Sequence, residues 1–446
     1  MDLLMQSVFG QLKRFGRDRG GNIAVIFALS CMPVLTAIGC ATDYSRAIQL
    51  SAKLQLAADA ASVGSISKTS PAFVAAGNMT GDGSVAAGVT DATNIFNANL
   101  QGAAGYTLTS VAPTVTKSGA TLTTIVTFSA DVPTMFMSLV GKSSLTVKGT
   151  STATANMPLY ADFYLLLDNS PSMGVAATPA DVTKMVNNTS DKCAFACHDY
   201  NDSDNYYNLA KSLGVKTRID VLRSATQSLM DTAAATQTYS NQFRMAIYDF
   251  GASSKTIGLR ALFSLSSSLS SAKSAAGNID LMGVYGNNDS YTADKDTQFS
   301  SIFPAMTNVI STAGTGTASA PLKYLFFVSD GVADEYNTGC IKPTSGGGRC
   351  QSPLDPALCT TLKKNGVKIA VLYTTYLQLP TNSWYMKWID PFNKGPFGPS
   401  PNSEVATNME SCASPGLYFE VSPTGGISEA MNALFQKAVA DARIAS

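Results

Sequence analysis

Residues 162–172 read DFYLLLDNSPS, a short apolar run that ends on an aspartate and passes into a Ser-rich turn. Such a run lacks polar alternation, as expected of a parallel strand covered on both faces. Downstream, RIDVLRSATQSLMDTAAA places Ile219, Leu222, Ala225 and Leu229 at helical spacing. FRMAIYDFG and TIGLRALF then read as strands, and DTQFSSIFPAMTNVIST as a helix broken or bent near Pro304. KYLFFVSDG, GVKIAVLYTTY and GLYFEVS are further strands, and ISEAMNALFQKAVADARIA is a closing amphipathic helix. Strands alternating with helices predict an α/β fold with a doubly wound, mostly parallel sheet over residues 159–446. Ligands of such sheets sit beyond the C-terminal strand ends.

Two motifs stand at those ends. Asp168-Asn169-Ser170-Pro171-Ser172 follows the first strand, and Asp330 follows a later one in VSDGVADE. D-x-S-x-S after an apolar strand, with a distant strand ending in SDG, resembles the metal ion-dependent adhesion site of von Willebrand factor A domains. The resemblance implies a von Willebrand factor A-like fold and one bound divalent ion, Mg²⁺ or Mn²⁺. It also implies a threonine from a middle loop; Thr297, just before QFSSIFPAM, fits by position better than Thr292. Mg²⁺ takes about six oxygens in near-octahedral geometry. Hydroxyls of Ser170, Ser172 and Thr297, with Asp168 and Asp330, would supply oxygens with little net charge and leave a position for a partner carboxylate. Read alone, Asp168 and Ser170 would be helix-capping residues of a turn.

The other end of the chain is of a different kind. Residues 20–42 carry no charge, and a helix of that length, about 35 Å, crosses a hydrocarbon core of about 30 Å. Lys13, Arg14, Arg17 and Arg19 precede it, whereas Asp43 and Arg46 after it roughly cancel. The charge bias predicts a cytoplasmic N-terminus, residues 1–19, and export of everything beyond residue 43. The stretch is longer than the apolar region of a cleaved signal and continues into an Ala-rich helical stem, residues 43–69, so a retained anchor is expected. A small α+β domain, residues 70–158, follows, with YTLTSVAPTVTK, ATLTTIVTFSADV and SLTVKGTSTATA as Thr- and Val-rich strands. Between the last two, PTMFMSLVG reads as one or two helical turns. No carboxylate pair, histidine or cysteine marks a reactive site there.

Composition narrows the function classes. Charged residues make up 14%, and Lys+Arg and Asp+Glu are both 31, so no basic face for nucleic acid is implied. The single histidine, His198, argues against His-based catalysis. No G-x-S-x-G elbow accompanies Ser170 or Ser172, and an enzyme is not expected. Cys31 and Cys40 lie in the apolar segment. Cys193, Cys197, Cys340, Cys350, Cys359 and Cys412 form an even set in the exported part and read as disulfides, in a pairing the sequence leaves open. CAFACH (193–198) has three residues between its cysteines, unlike a haem attachment motif, and a disulfide across the insertion between Met173 and Arg218 is the simpler reading. Trp384, Tyr385 and Trp388, in an insertion over 379–402, are candidates for a binding surface.

RDRGGNIAVIFALS (17–30), followed by a stem ending in LQLAADAAS, resembles the TadE/TadG-like proteins of Flp/Tad (tight adherence) pilus assembly. TadG-like members join this membrane segment to a C-terminal von Willebrand factor A-like domain. Prepilin-like relatives carry a glutamate after a glycine cleavage point; Ile26 stands at the aligned position here, so an uncleaved, single-pass inner-membrane anchor is expected. The resemblance implies an envelope protein of pilus assembly whose periplasmic domain binds other pilus-assembly proteins through a metal-bound carboxylate. The rivals are a surface adhesin that uses the metal directly and a structural scaffold that needs no metal.

Overall fold

In a computed structural model the described residues are 22–444, apart from 80, 196–197, 203–204, 240, 287–291, 293, 337–341, 344–348, 376–378, 393–402 and 422–425. The chain divides into two units, Met1–Ala76 with Asp82–Ala155, and Gly77–Gly81 with Asn156–Ser446.

The first unit is organised on one long helix. α1 (Asn22–Gly64) runs through Pro33 without interruption, and its N-terminal part is long and apolar enough to cross a membrane. Two of its hydroxyls are satisfied within the helix: Thr36 and Thr42 donate to the carbonyls of Met32 and Ile38. Beyond residue 42 the same helix becomes the stem, and here the stem belongs to the small domain instead of preceding it. After α2 (Pro71–Gly77), β1 (Gly83–Ser84) and α3 (Ala86–Asn99) come three long strands, β2 (Thr107–Ser118), β3 (Thr121–Pro133) and β4 (Ser144–Asn156), in the order β1-β2-β3-β4. β3 alternates, with Leu122, Val126, Phe128, Ala130 and Val132 inward. That face covers Leu54, Ala57, Ala58 and Ala61 of α1, and Ala92 and Phe96 of α3. The alanines let helix and sheet approach closely, because their side chains end at Cβ.

Helix and strand run in opposite directions with matched lengths. Val132 clusters with Ala47 and Leu50, while the Thr124 hydroxyl hydrogen-bonds that of Ser65 at 3.2 Å. Residues 47 to 65 of a helix and 124 to 132 of a strand each span about 27 Å. The β3–β4 connection is thereby set beside residues 39–43 of α1, where the uncharged stretch ends.

The second unit has a six-stranded sheet. Its chain order is β5 (Ala161–Leu167), α4 (Pro179–Asn188), α5 (Tyr206–Ser212), α6 (Arg218–Thr236), β6 (Phe243–Asp249), β7 (Arg260–Ser266), α7 (Leu269–Ala276), α8 (Phe299–Val309) and β8 (Leu322–Ser329). Then follow β9 (Val332–Tyr336), β10 (Lys342–Pro343), β11 (Arg349–Pro353), α9 (Thr360–Lys364), β12 (Lys368–Thr374), α10 (Ser383–Trp388), α11 (Glu404–Cys412), β13 (Tyr418–Val421) and α12 (Ile427–Ile444). The order across the sheet is β13-β12-β8-β5-β6-β7. Neighbours are parallel except β6 and β7. β5 is buried at every position. Phe163, Leu165 and Leu167 face one cluster with Leu222 and Leu229 of α6 and Leu434 and Phe435 of α12. Tyr164 and Leu166 face another with Phe303 of α8, Leu362 of α9 and Met409 of α11. Helices therefore cover both faces. α8 passes through Pro304 as one element, so of the break or bend expected there the break is not formed. A small antiparallel sheet, β10-β11-β9, follows the SDG turn, a feature the sequence pattern did not announce.

Candidate functional site

The sheet sends three aspartates to the C-terminal ends of adjacent strands: Asp168 after β5, Asp249 closing β6 and Asp330 after β8. All three are fully buried, and a buried carboxylate needs a partner. Asp249 receives the Arg260 guanidinium, Nε to Oδ1 at 2.8 Å. Asp330 receives Arg218, Nη1 to Oδ2 at 3.4 Å, with both side chains wholly buried. Among the described residues Asp168 has neutral donors only. Its Oδ1 accepts from the Ser170 N–H at 2.9 Å and the Ser170 hydroxyl at 2.6 Å, and its Oδ2 accepts from the Ser329 hydroxyl at 2.6 Å. Burial first, and then the charge of Asp330, push its carboxyl up to about 7.

The turn after Asp168 is built to keep these oxygens together. Asn169 ties it down: its amide donates to the carbonyls of Gly251 and Asp280, its Oδ1 accepts from the Phe250 N–H, and its own carbonyl accepts from Met282 N–H. Pro171 then opens a single 3₁₀ turn, Pro171–Gly174. The Ser170 and Ser172 hydroxyls lie 3.1 Å apart. An octahedron with bonds of 2.0–2.1 Å has edges of about 2.9 Å, and the Asp168–Ser170 and Ser170–Ser172 oxygen spacings of 2.6 and 3.1 Å lie on either side of that edge. Across from them, the Ser329 hydroxyl also accepts from the Gly331 N–H at 2.9 Å. Gly331 has φ +74°, and a Cβ there would lie 2.8 Å from Met409 and Val405, so the SDG turn requires its glycine.

The remaining expected ligands are placed differently. Thr297 is buried and exchanges backbone hydrogen bonds with Asp334, at 3.2 and 3.0 Å. It shares with Ser172 the wall of one open cleft of about 660 Å³. Asp330 is drawn toward Arg218, whose other terminal nitrogen donates to the Thr375 carbonyl at 2.9 Å. Arg218 opens α6 directly after a Thr217–Asp220 capping box, a position where a sequence reader expects a solvated cation. Among the described residues no group of three or more His, Cys, Asp or Glu side chains is arranged to hold an ion; the expected site has two carboxylates and hydroxyls for the rest.

The cleft wall is acidic. Asp191, Asp199, Asp202, Asp294, Asp296 and Asp334 line it, together with Arg349. Arg349 Nε donates to Asp334 at 2.8 Å, and burial still pushes the Asp334 carboxyl up to about 6. Asp334 comes from β9, Arg349 from β11 and the others from separate loops, which is why no local motif brought them together. Trp384 lines the same cleft, edge-on to Phe195 at 6.2 Å. Tyr385, by contrast, is core, and Trp388 lies half-buried beneath Lys387.

The cysteines divide. Cys359 and Cys412 form a buried disulfide joining the turn before α9 to the end of α11, and Cys350 is also disulfide-bonded. Cys197 and Cys340 lie outside the described residues. Cys193 carries a free thiol, so the disulfide expected at this residue is not formed. Its sulfur instead accepts from the Phe195 N–H at 3.3 Å in a local turn, and burial raises its pKa. His198 is held by the Leu281 carbonyl at 3.3 Å and by the rings of Tyr200 and Tyr207, an aromatic packing role.

Comparison with solved structures finds several pilus proteins. The vWF domain of the type V pili tip protein Mfa5 from Porphyromonas gingivalis is 10% identical, covers 64% of this chain and 97% of its own, and aligns with a TM-score of 0.36. The PilB minor pilin from Streptococcus sanguinis is 11% identical over 76% of this chain and 78% of its own, with a TM-score of 0.32. The pilus adhesin SpaC from Lactobacillus rhamnosus GG is 11% identical over 76% of this chain and 34% of its own, with a TM-score of 0.34. No curated protein sequence matches the chain. At the N-terminus, residues 21–64 match the family described as putative Flp pilus-assembly TadE/G-like, a stretch that spans the whole of α1.

Proposed function

We propose that this chain is a single-pass, inner-membrane envelope protein of Flp/Tad-type pilus assembly. Its C-terminal unit would be a von Willebrand factor A-like domain in the periplasm that binds a partner protein through one Mg²⁺ or Mn²⁺ ion. The observation that carries the metal reading is the contrast among three buried aspartates. Asp249 and Asp330 each have an arginine, whereas among the described residues Asp168 faces hydroxyl and amide donors only. A divalent ion supplies the missing positive charge. Asp168, Ser170 and Ser172 would hold it, with Thr297 and Asp330 completing the set. The acidic cleft draws a cation by the same electrostatics. When bound, the ion offers a Lewis-acidic position that a partner carboxylate fills. We read the site as binding and not catalytic, since the single histidine is engaged elsewhere in aromatic contacts. The N-terminal family match supports the pilus-assembly context.

A second reading has its own observation. The Arg218–Asp330 pair already neutralises one carboxylate, as a scaffold without metal would need. Calorimetric titration of MnCl₂ and MgCl₂ into the detergent-solubilised full chain, beside Asp168→Ala, separates the two. One site in the wild type and none in the variant supports metal-assisted binding. No heat in either, with both folded by circular dichroism, leaves the scaffold.

A further inference from the structure

The β3–β4 connection, residues 134–143, carries an apolar surface with no function in the reading above. Met135, Phe136, Leu139 and Val140 are 69%, 43%, 78% and 61% exposed, an unusual concentration for a loop in water. Its position is fixed from two sides. The Asp43 carboxylate accepts the N–H groups of Met135, Phe136 and Met137 at 3.0, 2.7 and 2.8 Å, closing a short 3₁₀ turn, Met137–Val140, against α1. The Phe136 ring rests on Gly39, where any Cβ would overlap it. The loop is therefore held at residues 39–43, the level at which the uncharged part of α1 ends. Leu35, one helical turn before Gly39, and Ile38, its neighbour in the chain, are 64% and 59% exposed on the helix itself. Tyr44, 60% exposed, adds an aromatic ring of the kind found at membrane–water interfaces.

We propose that this loop is a second membrane contact: Met135, Phe136, Leu139 and Val140 insert into the interfacial zone of the same bilayer that α1 crosses. The proposal rests on the reading of α1 as a membrane anchor. A single helix leaves the unit free to tilt and turn on the membrane. An apolar loop buried about 5–10 Å into the headgroup–acyl boundary fixes one face of the sheet toward the lipid. Asp43 then has a definite task. It satisfies three amide donors that would otherwise meet a poorly hydrated zone.

Bromolipid quenching of tryptophan fluorescence tests this with the full chain in nanodiscs, its own two tryptophans serving as the parent background. Leu139→Trp reports the loop, Val34→Trp the span, and Ser118→Trp the far end of the β2–β3 hairpin. The expected result is strong quenching of Leu139→Trp by bromines near the headgroup end of the acyl chain. Deep bromines should quench Val34→Trp, and Ser118→Trp should match the parent. If Val34→Trp is quenched and Leu139→Trp is not, the loop faces water and the proposal is overturned while the anchor stands. Blue-shifted but bromine-insensitive emission from Leu139→Trp overturns it too, because a second copy of the chain then covers the loop. Loss of quenching at both positions overturns the anchor reading and the proposal together.

Discussion

The two sheets of this molecule bury their side chains by different rules. β3, in the membrane-proximal unit, alternates between α1 and its open face, and its inward residues meet mainly alanines. β5, in the C-terminal unit, is buried at every residue because helices cover both sides. A sheet with one open face can place polar groups anywhere along a strand, as the row of threonines in β2 and β4 illustrates. A doubly covered sheet has only its ends. There Asp168, Asp249 and Asp330 gather, and Asp162 and Arg244 pair across the opposite ends of β5 and β6 at 2.6 Å. Burial on both faces thus concentrates chemistry at the strand termini.

The largest expected effect breaks this contrast at its centre. Phe163 touches Phe243, Tyr324, Phe326 and Phe435, and Phe163→Ala should destabilise the C-terminal unit by about 4 kcal/mol. Urea unfolding followed by tryptophan fluorescence reads this unit alone, since both tryptophans lie in it. Ile125→Ala, on the open face of β3, should cost only about 0.5 kcal/mol by hydrogen exchange of the β2–β3 amides. Equal costs would erase the distinction between the sheets.

Next in size is Arg218→Met, which leaves Asp330 buried without its cation. Removing one member of a buried ion pair costs about 3–5 kcal/mol. If Asp330 serves a metal, millimolar Mn²⁺ should restore much of that loss through binding to the folded state. A loss untouched by Mn²⁺ would assign the pair a purely structural role.

The smallest effect sharpens the membrane-proximal side. The amide of Met137 above all, then those of Met135 and Phe136 and the Arg46 charge, hold the Asp43 carboxyl below the ordinary carboxylate range against the opposing effect of desolvation. A depressed folded pKa means the stabilisation is complete above the unfolded value, about 3.9, and is lost as pH falls through the folded one. Amide protection factors at residues 135–137 should therefore hold steady from neutral pH down to the carboxylate range and drop below it. Protection independent of pH would deny Asp43 its role.

Much of the fold was legible because it rests on periodicity. β5, β6, β8 and β12 are apolar runs with charges confined to their end regions, and the first half of α1 announces itself by length and lack of charge. The strand-end loop was legible too, since Asp168, Ser170 and Ser172 are neighbours in the chain. What escaped reading is long-range. Arg218 resembles any first-turn cation until the fold buries it against Asp330, more than a hundred residues away. Asn169 hides inside its own motif, although its four hydrogen bonds tie the turn to two other segments, 250–251 and 280–282. The acidic cleft is assembled from loops and strands scattered along the chain, and the free thiol of Cys193 was not foreseen. Asp43 looked like a charge closing a membrane segment, and only the tertiary structure gives it three amides from residues 135–137.

The matched register of α1 and the strands has a mechanical consequence. The chain enters this unit at the membrane end of α1 and leaves it at Asn156, the far end of β4, where Ser151 hydrogen-bonds Ser62 at 2.9 Å. Tension between these points acts along the strands, at right angles to the hydrogen bonds between β4 and β3. Such a load is carried in shear by the whole ladder at once and does not peel it bond by bond. The unit formed by α1 and the β1–β4 sheet is thus built as a lap joint, with its entry and exit points at opposite ends of one ladder.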